Sequence, residues 1–321
     1  MRATITENLL FRFRQMKYWT KMLVGKSYYH KPQVLGKVFE PGKLKGYFSD
    51  LTGRTTWEGE VDQDGVPVST LYDGRRIQLP ILITHNALGH YDQWLVKEQD
   101  KDKQQFLALS NWLVKNQDEN GGWDTWGIMK GQTLLKYSAM TQGEALSVLS
   151  RAFKLTDDSR FKQTAEKAVN LFWVSVKDGG ITYFENGKVF LEETPAQPRN
   201  TILNGWIFSL FGLYDFNLIF DDSRVTDMFE RSIRTLAQHL PEYDNGYWTY
   251  YDSRKHLASP HYHRLHINQV EALCLISDKP VFKEYHQRWI NYQGKLTNRS
   301  RAFVLKALQK LKEPATTNIL K

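Results

Sequence analysis

The chain has 321 residues, 41% of them hydrophobic, which suits one large helical domain with a modest N-terminal appendage. Its formal charge of +8 favours a polyanionic partner, and on charge alone nucleic acid qualifies as well as an acidic polysaccharide. A single cysteine, Cys274, excludes an intrachain disulfide and a cysteine-based zinc site.

The N-terminal stretch MRATITENLLFRFRQMKYWTKMLVGK carries charges through its apolar positions, unlike a signal peptide or a membrane span; it leaves an amphipathic helix over 8–24. The expectation is a soluble protein, cytoplasmic or membrane-peripheral, with no integral membrane segment. Residues 27–80 are rich in Gly, Pro, Tyr and Thr, with short alternating stretches such as TTWEGEVD and GVPVST between turn signals, and read as strands and loops. Asp62 and Asp64 in DQDG are turn formers. Beyond His85 apolar residues recur at i, i+3, i+4 and i+7, predicting eight helices over 101–117, 137–155, 159–176, 201–219, 224–239, 265–277, 280–292 and 299–312. Cys274, in the run VEALCLI, reads as a small buried thiol.

Three loops between these helices resemble one another: NQDENGGWDTW (116–126), VKDGGITYF (176–184) and YDNGYWTYY (243–251). Each places Asp, then Gly, then aromatic or β-branched residues after a helix, the pattern of a tight turn entering a short strand. Recurring after every second helix, they predict a mainly α fold: an incomplete (α/α) barrel or toroid of helical hairpins, with short β-hairpins in its loops and a small N-terminal β/loop region. The expected organisation is 1–80 for the N-terminal helix and β/loop region and 81–321 for the toroid. Trp123, Trp126, Tyr183, Trp248 and Tyr251 are candidates to line a sugar cleft at its mouth, with capping of helix ends as the alternative.

Two segments concentrate chemistry. FLEETPAQPRNTILNGWIFSLFGLYDF (190–216) sets Glu192 and Glu193 before a Pro-rich turn and puts Asn204 where a leucine is expected. YWTYYDSRKHLASPHYHRLHINQ (247–269) packs Tyr, His and Arg into an irregular stretch followed by a helix. Neither segment offers zinc spacing, and the chain has no Gly-rich phosphate loop and no GxSxG elbow, so no metal and no cofactor are expected. Carboxylate, phenol, imidazole and guanidinium together suit proton transfer on a carboxylate-bearing sugar.

With GVPVSTLYDG (65–74), GHYDQW (89–94), NWLVKNQDENGGW (111–123), KYSAMTQGEALSVLSRAFKLTDD (136–158), EETPAQPRNTILNGWIFSLFGLYD (192–215), YYDSR (250–254), YHRLHINQ (262–269) and PVFKEYHQRW (280–289), the chain resembles the C-terminal (α/α) domain of the heparosan glucuronyl C5-epimerase family. The resemblance implies inversion of C5, converting D-glucuronate to L-iduronate within an anionic polysaccharide. It assigns proton transfer to Glu193, Tyr251 and Tyr262, a motif arginine to Arg254 and the Asn of a Leu-Asn-Gly block to Asn204. His263, His266, Gln142, Tyr72 and Trp123 are further candidates for substrate binding. Thr194 stands where the family has Tyr. The expected partner is an anionic uronate-containing polysaccharide and not nucleic acid; a homodimer is compatible with this reading. Competing readings are a uronate polysaccharide lyase, an (α/α) glycoside hydrolase using Asp124 and Glu193, and a non-catalytic glycan-binding module.

Overall fold

The computed structural model describes residues 30–71, 73–130 and 135–312. Among them are ten α-helices: α1 (Pro80–Lys97), α2 (Asp100–Asn116), α3 (Trp126–Lys130), α4 (Ala139–Thr156), α5 (Ser159–Val169), α6 (Leu203–Phe220), α7 (Ser223–His239), α8 (Pro260–Ile276), α9 (Pro280–Gly294) and α10 (Leu296–Lys312). The expected amphipathic helix over 8–24 lies outside the described residues.

Eight of the helices form four hairpins: α1/α2, α4/α5, α6/α7 and α8/α9. In the first three, two residues make the turn: Glu98–Gln99, Asp157–Asp158 and Asp221–Asp222. The first residue of each pair is left-handed (φ 54°, 56° and 48°), which reverses the chain abruptly. Asp158 and Asp222 then cap the second helix by accepting from the amides of Arg160 and Arg224. Such short links make the helices of a hairpin antiparallel.

α1, α4, α6 and α8 pack side by side as an inner row, each backed by its outer partner. This is the expected incomplete (α/α) toroid. Sequence patterning explains the two layers. α5 buries Phe161, Thr164, Ala165 and Ala168, one face of a helix, whereas α6 is apolar nearly all round because it has neighbours on every side. The closest approach in the inner row is between α4 and α6. A Cβ on Gly143 would stand 2.6 Å from the Ser209 Cα, so only glycine permits that crossing.

The N-terminal region shares this core. Tyr47, Phe48, Leu51 and Val66 belong to the same apolar cluster as the inner helices, and Phe48 stacks on Phe211 at 4.1 Å. A three-stranded antiparallel sheet of β1 (Glu60–Val61), β2 (Pro67–Thr70) and β3 (Arg76–Ile77) precedes α1. A hairpin of β4 (Thr182–Glu185) and β5 (Lys188–Leu191) lies between α5 and α6.

The structure corrects several helix limits. α1 was not among the eight predicted helices; its buried positions crowd Pro80–Asp92 with little amphipathic contrast. α5 gives way at Asn170 to a 3₁₀ turn, and α8 starts at Pro260 rather than 265, so Tyr262 and His263 are helical rather than part of an irregular stretch. Cys274 is half-buried at the edge of the core. Among the described residues no helix is long and apolar enough to cross a membrane.

Candidate active site

Each of the three similar loops follows an outer helix and leads to the next inner helix, and each turns on a left-handed glycine: Gly121 (φ 87°), Gly179 (φ 87°) and Gly246 (φ 86°). They therefore gather at one end of the toroid. At that end the inner helices begin, so the first turns of α1, α4, α6 and α8 face a common mouth. Four helix N-termini pointing one way favour negative charge there.

Neighbouring mouth loops are stitched together. Ala139 N donates to Glu192 O at 2.9 Å, and Trp126 Nε1 donates to Glu193 O at 2.8 Å. Leu203 N donates to Tyr251 O at 3.1 Å and Ser253 N to Thr201 O at 3.0 Å, laying the 249–257 loop across the start of α6. These bonds bring Glu193 and Tyr251 to the same place, and the Ser259 cap with Pro260 sets Tyr262 in the first turn of α8 beside them.

Glu193 is half-buried, and its Oε2 accepts from Asn204 Nδ2 at 3.2 Å. Crowding by protein pushes its carboxyl up to about 8; the charge of Glu144 on α4 adds to this, and the Asn204 hydrogen bond opposes it. Asn204 is fixed in turn by Gln269 Nε2, which donates to its carbonyl at 2.9 Å. The Tyr251 ring stands 4.7 Å from that of Tyr262, and the two phenols are hydrogen-bonded. Burial and then the Glu193 charge drive the Tyr251 phenol well above its ordinary range. Carboxyl and phenol pair thus form one acid–base cluster. Behind it Glu192 is fully buried, accepts from Thr201 Oγ1 at 2.5 Å and is pushed by burial to about 7.

Gly205 makes room for Glu193. An added Cβ would overlap Glu193 Oε2 and Cβ and approach its Cγ to 2.9 Å. We expect Gly205→Ala to displace this carboxyl and to slow the proton transfer that the family resemblance assigns to Glu193 by about tenfold to a hundredfold, as misplacement of a reacting group by ~1 Å does. Thermal unfolding of the variant, measured alongside, separates displacement from loss of fold.

Other sequence candidates have different duties. Arg254 is exposed, and its Nη2 donates to Pro198 O at 3.0 Å. His263 and His266 are fully buried, and both hydrogen-bond Thr249 Oγ1, at 2.9 and 3.1 Å. His263 stacks on Trp248 at 3.6 Å. Burial holds both imidazoles neutral, His266 at about 3 and His263 well below its ordinary value. They brace α8 against the 243–251 loop and supply no positive charge to the mouth. Gln142 is fully buried with its amide donating to the carbonyls of Gly121 and Ala168, both at 3.1 Å, so it bolts α4 to the loop before it. Trp123 and Trp248 are core residues whose indoles donate to Leu113 O and Ala258 O. Tyr183 lines a surface hollow with Trp173 and Phe184. Asp124 accepts from Gly127 and Ile128 N through Oδ1 at the start of α3. Tyr72 lies outside the described residues.

Sequence reasoning missed Glu144 and His85. Glu144 is fully buried in α4, with Oε2 accepting from Thr84 Oγ1 at 2.7 Å and Oε1 lying 2.8 Å from His85 Nε2. The clue that marked Asn204, a polar residue in the first turns of an apolar helix, marks Glu144 equally.

Residues 117–291 match the family model described as the D-glucuronyl C5-epimerase C-terminus, more than half of the chain. The chain belongs to this family. It is 33% identical over 225 residues to a D-glucuronyl C5-epimerase of Caenorhabditis elegans, covering 62% of this chain and 36% of that protein. An uncharacterised protein of Methanocaldococcus jannaschii is 27% identical over 155 residues, covering 47% and 50%. The chain therefore spans between about a third and a half of the length of these curated relatives. Among solved structures, an unsaturated glucuronyl hydrolase from Streptococcus agalactiae overlays with a TM-score of 0.47 at 14% identity, covering 67% of this chain and 57% of that one. PssZ from Listeria monocytogenes overlays with a TM-score of 0.42 at 11% identity, covering 88% and 92%. The family match contains Glu193, Asn204, Tyr251 and Tyr262; His85, on α1, lies before it.

Proposed function

We propose that the chain inverts C5 of D-glucuronate to give L-iduronate within an anionic polysaccharide. The observation that carries this reading is the cluster at the mouth, where a carboxyl poised at about 8 stands with a hydrogen-bonded pair of tyrosines. A proton alpha to an ionised carboxylate is hard to remove because a second negative charge develops as it leaves. Four helix N-termini at the mouth stabilise that charge, and Arg254 at the rim is a guanidinium exposed to the incoming polyanion.

Inversion needs one group to take a proton and another, on the opposite face, to return one. Glu193 is suited to taking it, since a base is most effective when it titrates near the working pH. Tyr262 is suited to returning one. After the transfer, the hydrogen bond from Tyr251 stabilises the phenolate left on Tyr262. Asn204 keeps the Glu193 carboxyl aimed.

The test is proton NMR of heparosan incubated with the protein in deuterated water. Deuterium is expected at C5 of the uronate with appearance of iduronate signals, and Tyr262→Phe is expected to lower the exchange by at least ~100-fold. An unsaturated, ultraviolet-absorbing uronate would replace this reading with a lyase, and retention of the polymer without exchange would replace it with a binding module.

A further inference from the structure

His85 and Glu144 make an arrangement that the mechanism above does not use. Each is the sixth residue of its helix, α1 and α4, which are parallel neighbours in the inner row, so the two stand at one level just inside the mouth. Glu144 is fully buried and held on one side by Thr84 Oγ1 at 2.7 Å. Its other oxygen lies 2.8 Å from His85 Nε2, close but not aligned as a hydrogen bond, a geometry common in acid–base sites that await their substrate. The His85 side chain retains 13% exposure. Its ring plane is set by an edge contact with Phe208, 6.1 Å between centroids, and Phe208 lies four residues after Asn204 on the same face of α6. His85 is thus about one helical turn below the residue that aims Glu193.

We infer that His85, backed by the Glu144 carboxylate, is a further substrate-contacting residue, gripping the carboxylate of the uronate from the α1 side. The inference rests on the reading that this mouth receives a uronate. Two carboxyl groups, Glu144 and Glu193, already occupy the site, and an anionic sugar needs a compensating donor among them. His263 and His266 are sealed in the core and neutral, and the Arg254 guanidinium is at the surface. A histidine is the group for this position, because with a proton on each ring nitrogen it bridges two carboxylates, Glu144 behind it and the uronate in front. Thr84 and Glu144 act as positioning residues through it.

Nitrogen-15 NMR of the full chain labelled at histidine tests this without turnover, with His85→Gln assigning the signal. Adding D-glucuronate is expected to move both His85 nitrogens to the doubly protonated position, and Glu144→Gln is expected to abolish that response. Unchanged His85 nitrogens at saturating D-glucuronate would overturn the inference. With heparosan in deuterated water, His85→Ala is expected to lose at least tenfold in C5 exchange and to regain part of it with added imidazole; a wild-type rate in this variant would also overturn it. Absence of exchange in the unmodified protein defeats the epimerase reading alone, since the response to D-glucuronate still decides the place of His85.

Discussion

Glu193→Gln is expected to abolish C5 exchange and, at the same time, to make the protein more stable. Loss of a positioned base removes a factor of about 10² to 10⁴ in rate. The stability gain follows from the sign of the shift. The folded carboxyl titrates at about 8 against 4.5 for an ordinary glutamate, so the folded state favours the protonated form and is increasingly penalised as pH rises from 4.5 through 8. Glutamine is neutral throughout and escapes that penalty. The full shift corresponds to an upper bound of roughly 5 kcal/mol, and partial exposure of the side chain reduces the expected gain to about 2 kcal/mol above pH 8. Urea unfolding at pH 5 and pH 8 checks this: the variant should gain little at pH 5 and most at pH 8. The same titration predicts that exchange by the unmodified protein rises about tenfold per pH unit below 8 and levels above it.

The largest loss of stability is expected at Arg151, far from the chemistry. Its guanidinium, fully buried in α4, pairs with Asp215 of α6 at 2.5 Å. It also donates to the carbonyls of Ser147, Lys45 and Gly46 at 3.0, 3.2 and 3.0 Å, tying the N-terminal region to the inner helices. Asp92 nearby is pushed up to about 7 by burial, and the Arg151 charge restrains that rise. Arg151→Met leaves Asp215 buried without its cation and strands the carbonyls of Lys45 and Gly46. A loss of about 3–5 kcal/mol is expected, greater at pH 8 than at pH 5: burial raises the Asp215 carboxyl, Arg151 opposes that rise, and without the cation the folded state must keep the carboxyl protonated at a cost that grows with pH. Replacing both partners, as Arg151→Met with Asp215→Leu, should return a large part of that loss in urea unfolding. An equal loss in the single and double variants would show that the carbonyl contacts, not the charge pair, matter.

Features governed by local backbone chemistry were legible in the sequence. The three Asp/Gly/aromatic loops placed the mouth correctly because a left-handed glycine after a helix has one structural meaning, and Gly121, Gly179 and Gly246 all adopt it. Amphipathic outer helices such as α5 and α7 announced themselves by period. α1 did not, although the inner helices α4, α6 and α8 did: its buried positions crowd Pro80–Asp92 and leave none in its last turn. Aromatic residues were the poorest guide: an indole can be a platform for a sugar or filler for a core, and Trp123 and Trp248 proved to be filler with satisfied N–H groups. His263 and His266 misled for the same reason, as nothing local distinguishes an imidazole that hydrogen-bonds a buried threonine from one that meets a ligand. Glu144 and His85 escaped because their pairing joins residues 59 positions apart across two helices, a relation that only packing reveals.

The hairpins divide labour between the two rims of the ring. On one rim, paired residues such as Asp157–Asp158 and Asp221–Asp222 reverse the chain with no slack and hold each outer helix in register with its inner partner. On the other, connections of ten residues or more carry Glu193 and Tyr251 and are free of that duty. Diversity in what such a scaffold acts upon can therefore accumulate along the long-looped rim, while the tight rim preserves the geometry that every variant inherits.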